Sequence, residues 1–299
     1  MSCFFQNAQR FTISVQRDII KDGAPLLRAA AQYEGKRGII LTLKRDVCFT
    51  PANQTRTLHI WLPEDYEQTQ ERYPVMYFFD GHNLFYNSDA TYGKSWGLLE
   101  FMQGWEKRMI IVGIECSHEG SNRLVEYCPY HFRKGFLGEI DGTGDATLRW
   151  MIEELKPMID SEYRTIPFRE CTAIGGASMG GLMSLYAVIR YNRWFSKAAC
   201  LSSTIAPCME DFAQDIAACG IDPDTRVYLA WGSEEGRGTK EYPRNDSRDD
   251  MTRRNTELAA RLERRGANTR VYCQQGGRHC EADWEKPVPG FMNYLWLDR

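Results

Sequence analysis

The sequence predicts an α/β fold built on a mostly parallel, doubly wound sheet with helices on both faces, and three observations predict it. Val75–Phe79 and Ile110–Ile114 are continuous apolar runs rather than alternating ones, the pattern of strands covered on both faces. From Pro74 onward such runs alternate with segments of helical periodicity, as repeated strand and crossover-helix units require. Residues 172–191, TAIGGASMGGLMSLYAVIRY, then read as a buried strand, a glycine-dense turn with one serine at its apex, and an amphipathic helix with Leu182, Leu185, Tyr186 and Ile189 on one face.

Taken in order, residues 1–38 carry the weakest signals. Residues 11–15 alternate like a strand and 24–33 suit a short helix, and the segment reads as an extension packed on a main domain of residues 39–299. Residues 39–44 and 57–62 alternate large or β-branched apolar residues with polar ones, with a turn region containing Asn53 between them. They predict an antiparallel pair at a sheet edge, and Pro63 ends the second strand because it has no N–H to give the ladder. Residues 145–163 form the clearest helix, with Leu148, Met151, Ile152, Leu155 and Ile159 as its stripe. After the serine turn come strand 198–201, helix 210–218, strand 227–231, a polar loop, helix 251–265, strand 269–273 and a closing helix over 290–297. Ligands of such sheets bind at the carboxyl edge of the strands.

At 299 residues with 43% hydrophobic content, one large core is the favoured arrangement. The net charge of −3 gives no overall attraction to nucleic acid or to an acidic membrane, so neither is expected as a partner. The N-terminus lacks a basic start followed by an apolar stretch, and no run is long enough to span a bilayer; a cytoplasmic protein is expected. Ten cysteines are scattered through apolar segments without a CxxC pair, which suits reduced thiols. Cys273, His279 and Cys280 are close enough in sequence to suggest zinc, but no partner pair completes a four-ligand set. No metal and no cofactor are therefore expected, and a homo-oligomer is left open.

Residues 176–180, GASMG, satisfy G-x-S-x-G within strand, turn and helix in that order, the layout of a nucleophile elbow. Ser178 is the candidate nucleophile, and the backbone N–H of Met179 at the helix start is a donor for an oxyanion. A phosphate-cradling loop is the rival reading, but the lysine of a P-loop is missing and G-x-G-x-x-G does not fit. A carboxylate just past strand 227–231 would share the sheet edge with Ser178, which makes Glu235 the first choice of acid and Glu234 the reserve. Of five histidines, His279 alone follows that strand in a glycine-rich loop before the closing helix, and it fits the order Ser, acid, His. The loop Asp80-Gly81-His82-Asn83 after the strand ending at Phe79 would supply the second donor through the His82 N–H.

Residues 74–85 (PVMYFFDGHNLF), 123–129 (RLVEYCP), 153–157 (EELKP), 163–165 (YRT), 175–181, 232–235 and His279 together resemble the putative esterase family, which includes esterase D-like enzymes, siderophore esterases, feruloyl esterase domains and mycolyltransferases. The resemblance runs from about residue 39 to 297. It implies an α/β-hydrolase fold and a triad of Ser178, Glu235 and His279. Arg123 and Tyr127 match a loop bordering the site in relatives, with an Arg123–Glu126 surface ion pair as the alternative. Trp231 is a further candidate for substrate contact, among aromatics that would either stack a sugar or phenolic group or belong to the core. The expected activity is hydrolysis of a small-molecule carboxylic ester through an acyl-enzyme; acyl transfer by the same residues and a catalytically silent binding relative are the alternatives. The extension before residue 37 and the polar loop 236–249 depart from the family pattern.

Overall fold

The computed structural model describes residues 42–132, 138–235 and 247–297. The readings for residues 1–38, including strand 11–15 and helix 24–33, and most of the polar loop 236–249 lie outside the described residues.

Strands β1 (Thr42–Phe49) and β2 (Gln54–Trp61) form the antiparallel edge pair, joined by a turn in which Asn53 takes φ 50°. β1 runs further than its apolar pattern suggested, because its polar residues Lys44, Arg45 and Asp46 sit on an edge where solvent can reach them. The alternating repeat then begins with β3 (Val75–Phe79), α1 (Leu98–Gly104), β4 (Ile110–Ile114) and α2 (Asn122–Glu126). A two-stranded ribbon of β5 (His131–Phe132) and β6 (Ile140–Asp141) follows, and α3 (Gly144–Trp150) and α4 (Lys156–Glu162) come next. The second half comprises β7 (Thr172–Ala177), α5 (Met179–Arg190), β8 (Lys197–Leu201), α6 (Met209–Ala218), β9 (Arg226–Gly232), α7 (Ser247–Arg264), β10 (Asn268–Gln274), α8 (Glu281–Trp284) and α9 (Val288–Trp296). The sheet order is β1-β2-β4-β3-β7-β8-β9-β10, parallel from β4 through β10.

The continuous apolar runs have a direct structural counterpart. In β3, Val75, Tyr77 and Phe79 join a core with Leu148, Ile159, Leu182 and Phe212. Met76 and Phe78 join a second core on the opposite face with Leu98, Met102, Phe291 and Leu295. A strand with period-2 side chains and a helix layer on each face needs apolar residues at every position.

Two helices differ from their sequence pattern. The helix over 145–163 is interrupted by a π-helical turn at Met151–Leu155, where the Lys156 N–H reaches back to the Met151 carbonyl. Pro157 has no N–H to close the ordinary i→i−4 bond onto Glu153, and a wider turn accommodates the loss. α5, expected to be amphipathic, is buried at every residue from Met179 to Ile189. It packs on β7 and β8 and against α6, so its second face meets protein rather than water.

Candidate active site

Three successive parallel strands end on a non-glycine residue with positive φ: Asp80 after β3 (φ 57°), Ser178 after β7 (φ 59°) and Ser202 after β8 (φ 45°). Such conformations cost free energy and cluster where a functional site over-determines them. At Ser178, ψ is −120°, and the turn closes so tightly that a Cβ on Gly176 would lie 2.6 Å from the Gly180 carbonyl carbon. The elbow is pinned on both sides. The Ser178 N–H donates to the Leu201 carbonyl at 2.9 Å, and the Ser178 carbonyl accepts from Leu182 and Thr204 N–H groups at 3.0 and 3.1 Å. The hydroxyl stands at the N-terminus of α5, whose first-turn N–H groups have no partner within the helix. Its Oγ lies 3.5 Å from Thr204 Oγ1.

The acid and imidazole candidates meet. His279 Nδ1 and Glu235 Oε2 are 3.0 Å apart. Glu235 is 7% exposed, and its other oxygen, Oε1, accepts from Ser202 Oγ at 2.5 Å and from the Gly232 N–H at 2.6 Å. The buried carboxylate therefore has a partner on each oxygen, two of them on Oε1. Glu234 gives its backbone N–H to the Gly277 carbonyl at 2.8 Å. Trp284 of α8 braces the pair: its Nε1 donates to Ser202 Oγ at 2.8 Å and its ring stands edge-on to His279 at 5.0 Å. In this structure His279 is bonded to Glu235 and the Ser178 hydroxyl is turned toward Thr204, so the serine–imidazole bond itself is not made.

The loop after β3 is anchored from behind. A Cβ on Gly81 would fall 2.3 Å from the Gly113 carbonyl carbon, so only glycine permits this approach to β4. Arg123 grips the Asp80 carboxylate bidentately, Nε to Oδ1 and Nη2 to Oδ2, both at 2.7 Å, and lies over the Tyr127 ring. Tyr127 is buried and its hydroxyl accepts from the Asp80 N–H at 3.3 Å. Burial pushes the Asp80 carboxyl up, but the Arg123 guanidinium overrides it and holds the group below the usual aspartate range. The Arg123–Glu126 alternative is not formed: Glu126 pairs with Arg56 at 2.7 Å and accepts from the Ser117 N–H. Trp231 is buried, with its Nε1 donating to Thr252 Oγ1 at 3.2 Å. It lines a small cleft with Ser202, Glu235, Gln274 and Trp284.

Arg123→Met should therefore destabilise the fold by about 2–3 kcal/mol, since it leaves a buried carboxylate without its partner. The sign of the pH effect follows from the lowered Asp80 pKa. The pair's contribution is complete above the unfolded aspartate value near 4 and is lost as pH falls through the depressed folded value. Acid-unfolding curves should show a midpoint at higher pH in the variant than in the parent.

Sequence reading singled out Ser178, Glu235 and His279 as candidates but not the Ser202-Ser203-Thr204 loop, which contacts Glu235 through Ser202 and Ser178 through Thr204. Three small polar residues after a strand carry no distinguishing pattern; only the fold puts them between the two. The zinc grouping of Cys273, His279 and Cys280 is not gathered among the described residues, and the nine described cysteines are free thiols.

A serine elbow and a carboxylate–imidazole pair at the carboxyl edge of a parallel sheet define an α/β protein of hydrolase type. Residues 50–293 match the family model described as Putative esterase, and the chain belongs to that family, among carboxylic ester hydrolases. It is 29% identical over 195 residues to the uncharacterized protein YbbA of Bacillus subtilis (strain 168), covering 64% of this chain and 73% of that protein. In structure it is similar to an IroE-like serine hydrolase from Shewanella oneidensis, with TM-score 0.68, 21% identity, and 86% of this chain and 80% of that chain covered. The enterobactin esterase FES from Shigella flexneri gives TM-score 0.65 and 17% identity, covering 87% of this chain and 59% of the Shigella protein's length. At these identities the structural likeness speaks for the fold. Among the described residues no helix is long and apolar enough to cross a membrane.

Proposed function

We propose that the protein is a serine esterase working through an acyl-enzyme, with Ser178 as nucleophile, His279 as general base and acid, and Glu235 as the acid that orients it. The observation that carries this reading is the Glu235–His279 contact of 3.0 Å beside a serine elbow on the same sheet edge. Rotation of the Ser178 hydroxyl away from Thr204 toward His279 Nε2 completes the relay, as happens in sites whose bonds tighten when substrate binds. Ser178 Oγ then attacks the ester carbonyl while Nε2 takes its proton. The tetrahedral oxyanion forms at the start of α5, within reach of the Met179 N–H, and the His82 N–H is the second donor. Collapse expels the alcohol with the proton from His279, and water repeats the sequence to release the acid. Throughout, Glu235 keeps Nδ1 protonated and stabilises the imidazolium.

Arg123 and Tyr127 act in this scheme by holding the Asp80–Asn83 loop that presents the His82 N–H, and Trp231 and Trp284 border the acid side of the site. Similarity to a siderophore esterase in fold, and the aromatic rim, favour a bulky phenolic, acylated carbohydrate or siderophore-type ester over a short-chain one. The test is treatment of the purified protein with a fluorophosphonate, followed by peptide mass mapping and a panel of acetyl, feruloyl, catecholate and thioester substrates. The expected result is one adduct, on the peptide carrying Ser178, with turnover of at least one ester. An unlabelled serine together with an inert panel would overturn the assignment.

A further inference from the structure

Behind the loop that follows β3, the fold gathers residues that are far apart in sequence. His82 of that loop meets Cys116 and His118, which follow β4, with one potential ligand atom from each lying within 4.8 Å of the others. His82 and Cys116 are buried and His118 is exposed. The imidazoles of His82 and His118 meet edge to face at 4.8 Å. We propose that His82, Cys116 and His118 form a binding site for a thiophilic divalent transition-metal ion of the zinc class, distinct from Ser178, Glu235 and His279 and using the His82 side chain, whose backbone N–H is an oxyanion donor of the proposed mechanism.

Three features distinguish this group from an ordinary polar cluster. The first is a buried ring nitrogen with no hydrogen-bond partner. His82 Nε2 is taken by Thr91 Oγ1 at 2.9 Å, and its Nδ1 is buried without any hydrogen-bond partner. Buried polar atoms are nearly always paired, and an imidazole held by one nitrogen with the other left bare is oriented as a metal ligand is.

The second feature is an outer support. Glu115 accepts at Oε2 from His118 Nε2 at 3.3 Å and contacts the buried His59 Nε2 through Oε1 at 2.6 Å. A carboxylate on one ring nitrogen is the outer partner that fixes metal-ligating imidazoles, and it assigns the metal of this site to His118 Nδ1. The third is the donor set. One sulfur and two imidazoles suit zinc or cobalt, and an unfilled fourth position in a tetrahedron is left for water or another small donor. Tetrahedral bonding at ordinary Zn–N and Zn–S lengths sets donor atoms roughly 3.3–3.7 Å apart. A pair of donors at the full 4.8 Å has to draw in by about 1.1–1.5 Å to reach that spacing. Binding replaces the Cys116 proton with the metal, so it releases a proton and strengthens as pH rises.

The experiment uses the full chain, stripped with a chelator and dialysed, then titrated with Co2+ and Zn2+. Metal analysis should give one ion per chain. Co2+ should produce tetrahedral visible absorption with a thiolate charge-transfer band, and Zn2+ should displace it. Cys116→Ser should abolish the charge-transfer band, and His118→Ala should weaken binding by roughly 10–100-fold, whereas Cys273→Ser and Cys280→Ser should change neither. Absence of stoichiometric binding, or a Co2+ spectrum unaffected by both Cys116→Ser and His118→Ala, would overturn the site. If Cys116→Ser does not fold, the exposed His118 decides alone: an unchanged affinity in His118→Ala counts against the proposal, a weakened one for it.

Discussion

Ser178→Ala should lower ester turnover by roughly 10⁵–10⁶-fold, the scale on which removal of a serine nucleophile acts when the rest of the machinery is intact. The protein should nevertheless fold. Ser178 holds its neighbours through backbone atoms, with its N–H on Leu201 and its carbonyl accepting from Leu182 and Thr204, and its hydroxyl makes a single long contact with Thr204. Alanine inherits the same strained φ of 59° without adding to it, so thermal unfolding should stay within a few degrees of the parent. Steady-state kinetics on any ester found active, beside a melting curve, separates the two effects. Turnover within tenfold of the parent would mean that another residue attacks.

Glu235→Gln should cost about 10⁴-fold in kcat, against a change of less than about threefold for Glu234→Gln. The contrast comes from what each side chain touches. Glu235 Oε2 meets His279 Nδ1, and its Oε1 is already saturated by Ser202 and the Gly232 N–H. A glutamine amide there must turn its NH2 either toward the Ser202 and Gly232 donors, which need an acceptor, or toward His279 Nδ1, and a ring offered NH2 takes the wrong tautomer. Glu234 contributes to the loop through its main chain. Equal losses in the two variants would return the choice between the glutamates to the undecided state the sequence left.

The parallel sheet was legible because the physics of its strands is local. Val75–Phe79 and Ile110–Ile114 are apolar at every position since both faces are covered, and the observed strands have those bounds. The break at Met151–Leu155 was less visible, because the apolar stripe continues across it and only Pro157 hints that the bond ladder must change. The burial of α5 on all sides depends on α6 lying against it, a tertiary fact that a hydrophobic pattern does not contain. In the site, the serine, acid and histidine each sit next to a strand end with glycines, a pattern readable along the chain. The supports are different. Thr204 on Ser178, Ser202 on Glu235, Arg123 on Asp80 and Trp284 on Ser202 join residues 26, 33, 43 and 82 positions apart, so nothing short of the folded sheet associates them. The gathering of His82 with Cys116 and His118 is of the same kind: the pair Cys116 and His118 is evident in the sequence only as a cysteine and a histidine in a polar loop.

The indole of Trp284 touches both Ser202 and His279, and its helix leads within a few residues into α9, whose Phe291 and Leu295 close one face of the sheet. The alignment of the imidazole is thereby tied to the packing of the C-terminal helix layer: whatever loosens that layer is felt at the ring as well as in the core.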